Sequence, residues 1–226
     1  MGLGSMDLPP PSEFESVIPF DLAVKLDAYS YMSELEGWCS LEKAAVLIDL
    51  ILLEKPRIVV EIGVFNGKSL IPMACALKAN EEGKIFGIDP WNTAEAVKGM
   101  KLIVNRVFWN QIDFDAIYRS LVEKIEQFNL EEQIVLIRST SVDAAPIEDI
   151  DLLHIDGNHS EVASCQDVTK WVPLVRSGGA IVFNDMTWTE QGIKTTARAV
   201  SWLDENCEKE MEYTSDYSVF GIWRKR

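Results

Sequence analysis

The chain is short of basic residues and of cysteine, and each shortage removes a class of function. Lysine plus arginine number 21 against 36 aspartates and glutamates, a formal net charge of −15. A surface of that sign repels a phosphate backbone and an anionic bilayer, so neither nucleic acid nor membrane is expected as a partner. The four cysteines (Cys39, Cys75, Cys165, Cys207) stand far apart and form no C-x-x-C. That spacing argues against a zinc ribbon or a disulfide framework and fits reduced thiols in a cytoplasmic protein. No apolar run is long enough to span a bilayer; the longest, near Ala44 to Leu53, is broken by Asp49. The N-terminal stretch has three successive prolines and no secretory apolar core.

What is present is an alternation. Over 226 residues, 47% hydrophobic and 25% charged, the composition fits one domain with a full core. Residues 1–20 read as a flexible arm and 21–226 as a single domain. Two helices are expected first, Asp21 to Leu35 and, capped by Ser40, onward to Leu53. Strands then follow at Arg57 to Ile62, Lys84 to Asp89, Gln133 to Arg138, Leu152 to Ile155 and Ala180 to Phe183. Helices are expected at Lys68 to Ala79, after Asp113 to Asn129, from Ser160 to Val175 and from Gln191 to Glu205. Two last strands, Glu210 to Thr214 and Tyr217 to Trp223, flank a Ser215-Asp216 turn. Repeated βα units imply an α/β fold: a Rossmann-like, doubly wound, seven-stranded, mostly parallel sheet closed by a C-terminal antiparallel hairpin. In such sheets ligands bind beyond the carboxyl ends of the strands.

Two familiar ligand loops fail at the first strand end. Gly63-Val64-Phe65-Asn66-Gly67-Lys68-Ser69 ends like a phosphate-binding loop, but three residues separate its glycines where four are needed. Glu61 beside it would repel a phosphate. The dinucleotide fingerprint G-x-G-x-x-G is also unmatched. A nucleotide-phosphate site built on Gly67-Lys68-Ser69 remains as an alternative.

The pattern E-x-G-x-x-x-G-x-S (Glu61, Gly63, Gly67, Ser69) resembles motif I of the class I S-adenosylmethionine-dependent methyltransferases. The nearest likeness is to the metal-dependent O-methyltransferases of catechol and sugar type. The chemistry suits that ligand: it has no phosphate, and its sulfonium and ammonium tolerate a carboxylate such as Glu61. The resemblance implies that Gly63, Val64, Asn66 and Gly67 surround the methionyl part and that Ser69 meets its carboxylate. Asp89 follows Gly63 by 26 residues and ends an apolar strand, where an acid either takes both ribose hydroxyls or caps the next turn. By resemblance Trp91 flanks the adenine. Ser141 either touches the adenine edge or makes a local turn before Asp143.

A second group ends strands four and five: Asp156-Gly157-Asn158-His159 and Asn184-Asp185. These strands are neighbours in a doubly wound sheet, so the two groups converge. Two carboxylates and an amide oxygen suit Mg²⁺ or a similar hard cation, which gives Asp156, Asn184 and Asp185 as candidate ligands. In the metal-dependent relatives the corresponding residues hold the cation; catechol O-methyltransferase has the order Asp-Asn where this chain has Asn184-Asp185. His159 follows Asp156 by three residues, where those relatives carry the base. His154 lies inside an apolar strand and reads as a core or supporting group. The implied activity is methylation of a small-molecule hydroxyl, a sugar or other diol, with His159 and Asp156 catalytic. A non-catalytic S-adenosylmethionine-binding domain is a second alternative, and homo-oligomers are common among such relatives.

Overall fold

The computed structural model describes residues 19–214 and 218–226. Most of the expected N-terminal arm and the Ser215-Asp216 turn lie outside these residues. Helix α1 (Phe20–Met32) and helix α2 (Leu41–Glu54) precede the sheet. Ser40 caps α2 as its position predicts, accepting the Lys43 backbone N–H. The chain then runs β1 (Ile58–Ile62), α3 (Leu70–Ala79) and β2 (Lys84–Asp89). The long connection after β2 holds two short helices, α4 (Thr93–Ala96) and α5 (Ile103–Asn110), before α6 (Phe114–Gln127), which Asp113 caps. Next come β3 (Ile134–Arg138), β4 (Ile150–Ile155), α7 (Glu161–Trp171) and β5 (Val175–Phe183). A two-residue hairpin, β6 (Thr189–Glu190) and β7 (Ile193–Lys194), leads to α8 (Ala197–Asn206), β8 (Cys207–Thr214) and β9 (Val219–Lys225).

The seven-stranded sheet has the order β3-β2-β1-β4-β5-β9-β8. The first five strands are parallel, and β9 enters antiparallel between β5 and β8. Period-two alternation along the strands divides the interior into two cores. Val59 and Leu152 face one core with Leu47, Ile51, Leu70 and Leu121 from α2, α3 and α6. Val60, Ile62, Leu153 and Ile155 face the other with Val168, Trp171 and Leu203 from α7 and α8. Each parallel strand is therefore apolar on both sides, which explains why these strands read as continuous apolar runs.

Three local expectations needed correction. Strand five begins before the expected Ala180, with Ser177-Gly178-Gly179 as a bulge inside β5: Val175 pairs with Ile150 and Ala180 with Leu152, with the register shift between them. Val175 therefore opens a strand; α7 stops at Trp171 and a 3₁₀ turn over Val172–Leu174 takes up the difference. The helix expected from Gln191 starts six residues later. Gln191 (φ 51°) and Gly192 (φ 78°) form the left-handed pair of a tight hairpin, a signal obscured because glutamine is an unusual residue for it.

Candidate active site

The strand ends open into one cavity of about 1010 Å³, whose wall includes Gly63, Ser69, Asp89, Ser141, Asp156, His159, Asn184 and Asp185. Three of the loops that leave the strands there carry a non-glycine residue in the left-handed region: Phe65 (φ 50°), Trp91 (φ 41°) and Asp185 (φ 52°). Such residues are held against their own preference, and they gather where loops must be aimed.

The glycine turn after β1 is shaped first by its neighbours. A Cβ on Gly63 (φ +84°) would lie 2.2 Å from the Asp156 carbonyl oxygen, so side-chain absence lets the ends of β1 and β4 meet. A Cβ on Gly67 would strike Leu121 at 2.6 Å. Asn66 is buried and ties the turn to two other segments, accepting the Glu36 N–H and donating to the Ile117 carbonyl. Neither Gly67 nor Asn66 reaches the cavity wall, whereas Gly63, Val64 and Ser69 do.

Asp89 does what a capping acid does while still facing the cavity. Its Oδ2 accepts the Val64 and Phe65 N–H groups, each at 3.0 Å, and its Oδ1 accepts the Trp91 N–H at 2.6 Å. Burial raises its pKa against the pull of those three donors. Trp91 does not flank the cavity as expected. Its ring is buried against Tyr118, and its Nε1 donates to the Phe65 carbonyl at 2.8 Å, so it props the glycine turn from beneath. Pro90 and Asn92 form the wall in its place.

Beneath the wall runs a buried polar row. Glu61 and His154 are register partners on β1 and β4, on the same face of the sheet and both without solvent exposure. Glu61 Oε1 accepts the Ser69 hydroxyl at 2.5 Å and lies 2.9 Å from His154 Nδ1. Glu61 therefore sits behind the cavity and is not part of its wall. Two residues beyond His154, Asp156 continues the row, and Lys43 from α2 meets its Oδ2 at 2.9 Å. Lys43 is 1% exposed. Burial works against both charges, but each outweighs it for the other: the Asp156 carboxyl is held well below the usual range and the Lys43 pKa is raised.

Lys43 escaped the sequence reading, although a signal was there. It shares the i, i+4, i+8 stripe of α2 with Leu47 and Ile51, which places it against the sheet. Asp167 was missed in the same way. It lies on the buried stripe Ser164, Asp167, Val168 and Trp171 of α7 and accepts the Ser141 hydroxyl.

On the acceptor side, the expected convergence of β4 and β5 is present. Asn184 Nδ2 donates to Asp156 Oδ1 and to Asp185 Oδ2, both at 2.8 Å, and Asp185 Oδ2 lies 2.9 Å from His159 Nε2. His159 also packs on Trp188, with ring centroids 4.7 Å apart. Burial opposes a charged imidazole there, yet the Asp185 contact and the Asp156 charge prevail and raise the His159 pKa. Ligand atoms of Asp156, His159 and Asp185 lie within 4.8 Å of one another, a spacing a cation could bridge. The Asn184 amide oxygen accepts from Ser218, and its nitrogen faces the carboxylates.

A family profile described as "Methyltransferase domain" matches residues 60–186, which take in the glycine turn, Asp89, Asp156 and Asn184-Asp185. An uncharacterized protein of Acanthamoeba polyphaga mimivirus is 30% identical over 145 residues, covering 63% of this chain and 58% of that protein. The chain thus spans a little over half the length of that relative. Among solved structures, an O-methyltransferase from Bacillus cereus in complex with SAH superposes with a TM-score of 0.62 at 14% identity, covering 97% of this chain and 94% of the other. The O-methyltransferase TomG from Streptomyces achromogenes, in complex with SAM, gives 0.61 at 15% identity over 95% and 94%. At these identities the structural likeness establishes the shared fold.

Proposed function

Because the chain belongs to the methyltransferase-domain family, we propose that it transfers the methyl group of S-adenosylmethionine to a hydroxyl oxygen of a small-molecule acceptor, a sugar or another vicinal diol. One observation carries this reading: His159, paired with Asp185 and neighbouring Asp156, stands at the wall of the same cavity that takes in Asp89 and the glycine turn. Asp89 meets the ribose with the accepting capacity left by its three backbone donors. The acceptor oxygen attacks the methyl carbon, the carbon–sulfur bond breaks, and S-adenosylhomocysteine leaves. Neutral His159 takes the hydroxyl proton, and Asp185 steadies the imidazolium that results. The cavity contributes by aligning oxygen, carbon and sulfur before reaction.

The acidic cluster also suits a divalent cation. Asp156 and Asp185 would hold it, with Asn184 joining through its oxygen once its amide is turned over. When bound, such an ion supplies a Lewis acid that lowers the pKa of an acceptor hydroxyl. Lys43 and the Asn184 amide nitrogen balance the same carboxylates from the protein side.

The test is in two parts. S-adenosylhomocysteine should raise the melting temperature where ATP does not. Methyl transfer to a panel of sugars and catechols should then be measured with Mg²⁺ and with chelator. Stabilisation by ATP alone would return Gly67-Lys68-Ser69 to a phosphate role.

A further inference from the structure

Asp167 has no part in the chemistry above, yet it is a carboxyl group 3% exposed with no ionic partner among the described residues. Its Oδ1 accepts the Ser141 hydroxyl. Its Oδ2 lies close over Gly157, where an added Cβ would come within 3.1 Å. Lys170, the nearest cation on its own helix, spends its ammonium on the Val142 and Ala144 carbonyls. The ring N–H of Trp171 fixes the Ser141 carbonyl at 3.0 Å, so the Ser141–Asp167 pair is held from behind. A buried acid kept without a counter-ion is costly, and such groups gather at binding sites.

Its place in the cavity indicates what it meets. Asp167, Ser141 and Gly157 share the wall with Asp89 and Pro90, on the side formed by the β3 loop and α7. A nucleoside whose ribose meets Asp89 can direct its base toward that side. Resting on the S-adenosylmethionine reading, we infer that Asp167 reads the Watson–Crick edge of the adenine, accepting from the 6-amino group and donating to N1. Burial pushes the Asp167 carboxyl up to about 7, which makes a protonated acid available near neutral pH. A carboxylic acid presents a carbonyl and a hydroxyl side by side, the complement of adenine's donor and acceptor.

The experiment is calorimetric titration with S-adenosylhomocysteine and its 1-deaza and 7-deaza analogues. Wild type should bind the parent compound at least about tenfold more tightly than the 1-deaza compound, which lacks the N1 acceptor, while the 7-deaza compound, altered on the other edge, binds like the parent. Asp167→Asn, whose amide keeps the donor and acceptor side by side, should retain the preference. Asp167→Ala should lose it. Equal wild-type binding of the adenosyl and 1-deaza compounds overturns the assignment without any variant. So does an unchanged preference in Asp167→Ala. Failure of wild type to bind S-adenosylhomocysteine at all would instead overturn the methyl-donor reading on which this one rests.

Discussion

Lys43 Nζ lies 2.9 Å from Asp156 Oδ2, joining the first turn of α2 to the end of β4 across 113 residues of sequence. A lysine near a helix N-terminus opposes the helix dipole, so its place there depends on the partner carboxylate. Loss of Lys43 leaves Asp156 with the Asn184 amide as its remaining close donor at the cavity wall. Lys43→Met should therefore destabilise the fold by about 1–3 kcal/mol. Urea denaturation of Lys43→Met, Asp156→Asn and the double variant checks this. The double variant should lose less than the sum of the single losses, and strict additivity would show that the pair is not coupled.

His159→Ala should lower kcat by about 10²–10⁴-fold, the range for loss of a general base, with little change in S-adenosylhomocysteine affinity. Weakened nucleoside binding with unchanged kcat would make His159 a wall residue.

Chelation should depress methyl transfer and added Mg²⁺ should restore it. Asp185→Ala should remove that response. Transfer that survives exhaustive chelation would take the cation out of the reaction and leave Lys43 as the positive charge on Asp156.

Asp167 predicts a pH-dependent stability. Its folded pKa of about 7 lies above the ordinary carboxyl value of 3.8, so between those values the folded state binds more protons than the unfolded one. Stability therefore falls as pH rises from about 4 to about 7, and the penalty is complete above that window. Relative to wild type, Asp167→Asn should be more stable at pH 8 by on the order of 3 kcal/mol, with the gain vanishing near pH 4. Denaturation at pH 4, 6 and 8 reads it out; a constant difference would show that Asp167 titrates normally.

Gly63→Ala places a methyl 2.2 Å from the Asp156 carbonyl oxygen and strains a backbone at φ +84°. It should lower the melting temperature and, by shifting Asp156, lower kcat more than either Gly192→Ala or an exposed α8 substitution would. A hairpin glycine such as Gly192, with nothing within 4 Å of its added Cβ, is the suitable control for backbone strain alone.

Much of this was legible because it depends on local chemistry. β2 spans Lys84 to Asp89 as its apolar run predicts, and Ser40 and Asp113 cap the helices they precede. The strand-end acids were legible too, since topology alone brings Asp156 and Asp185 to one rim. What escaped depends on which way a side chain turns. Trp91 and Glu61 stand beside the cavity in sequence but face beneath it, because Trp91 finds the Phe65 carbonyl and Glu61 finds Ser69 and His154. Lys43 looks like a solvated lysine until its stripe is matched with the acid it meets, and that acid lies on another element. The β6–β7 hairpin hid behind a helical pattern because its left-handed turn begins with glutamine.

Asn158 ties the segment between β2 and α6 to the end of β4: its Nδ2 lies within 3.1 Å of three carbonyls, those of Glu95, Ala96 and Lys98. An amide nitrogen has two hydrogens. Three acceptors share two protons, so loss of any one of the three contacts leaves this part of the cavity wall joined to a residue two positions from Asp156.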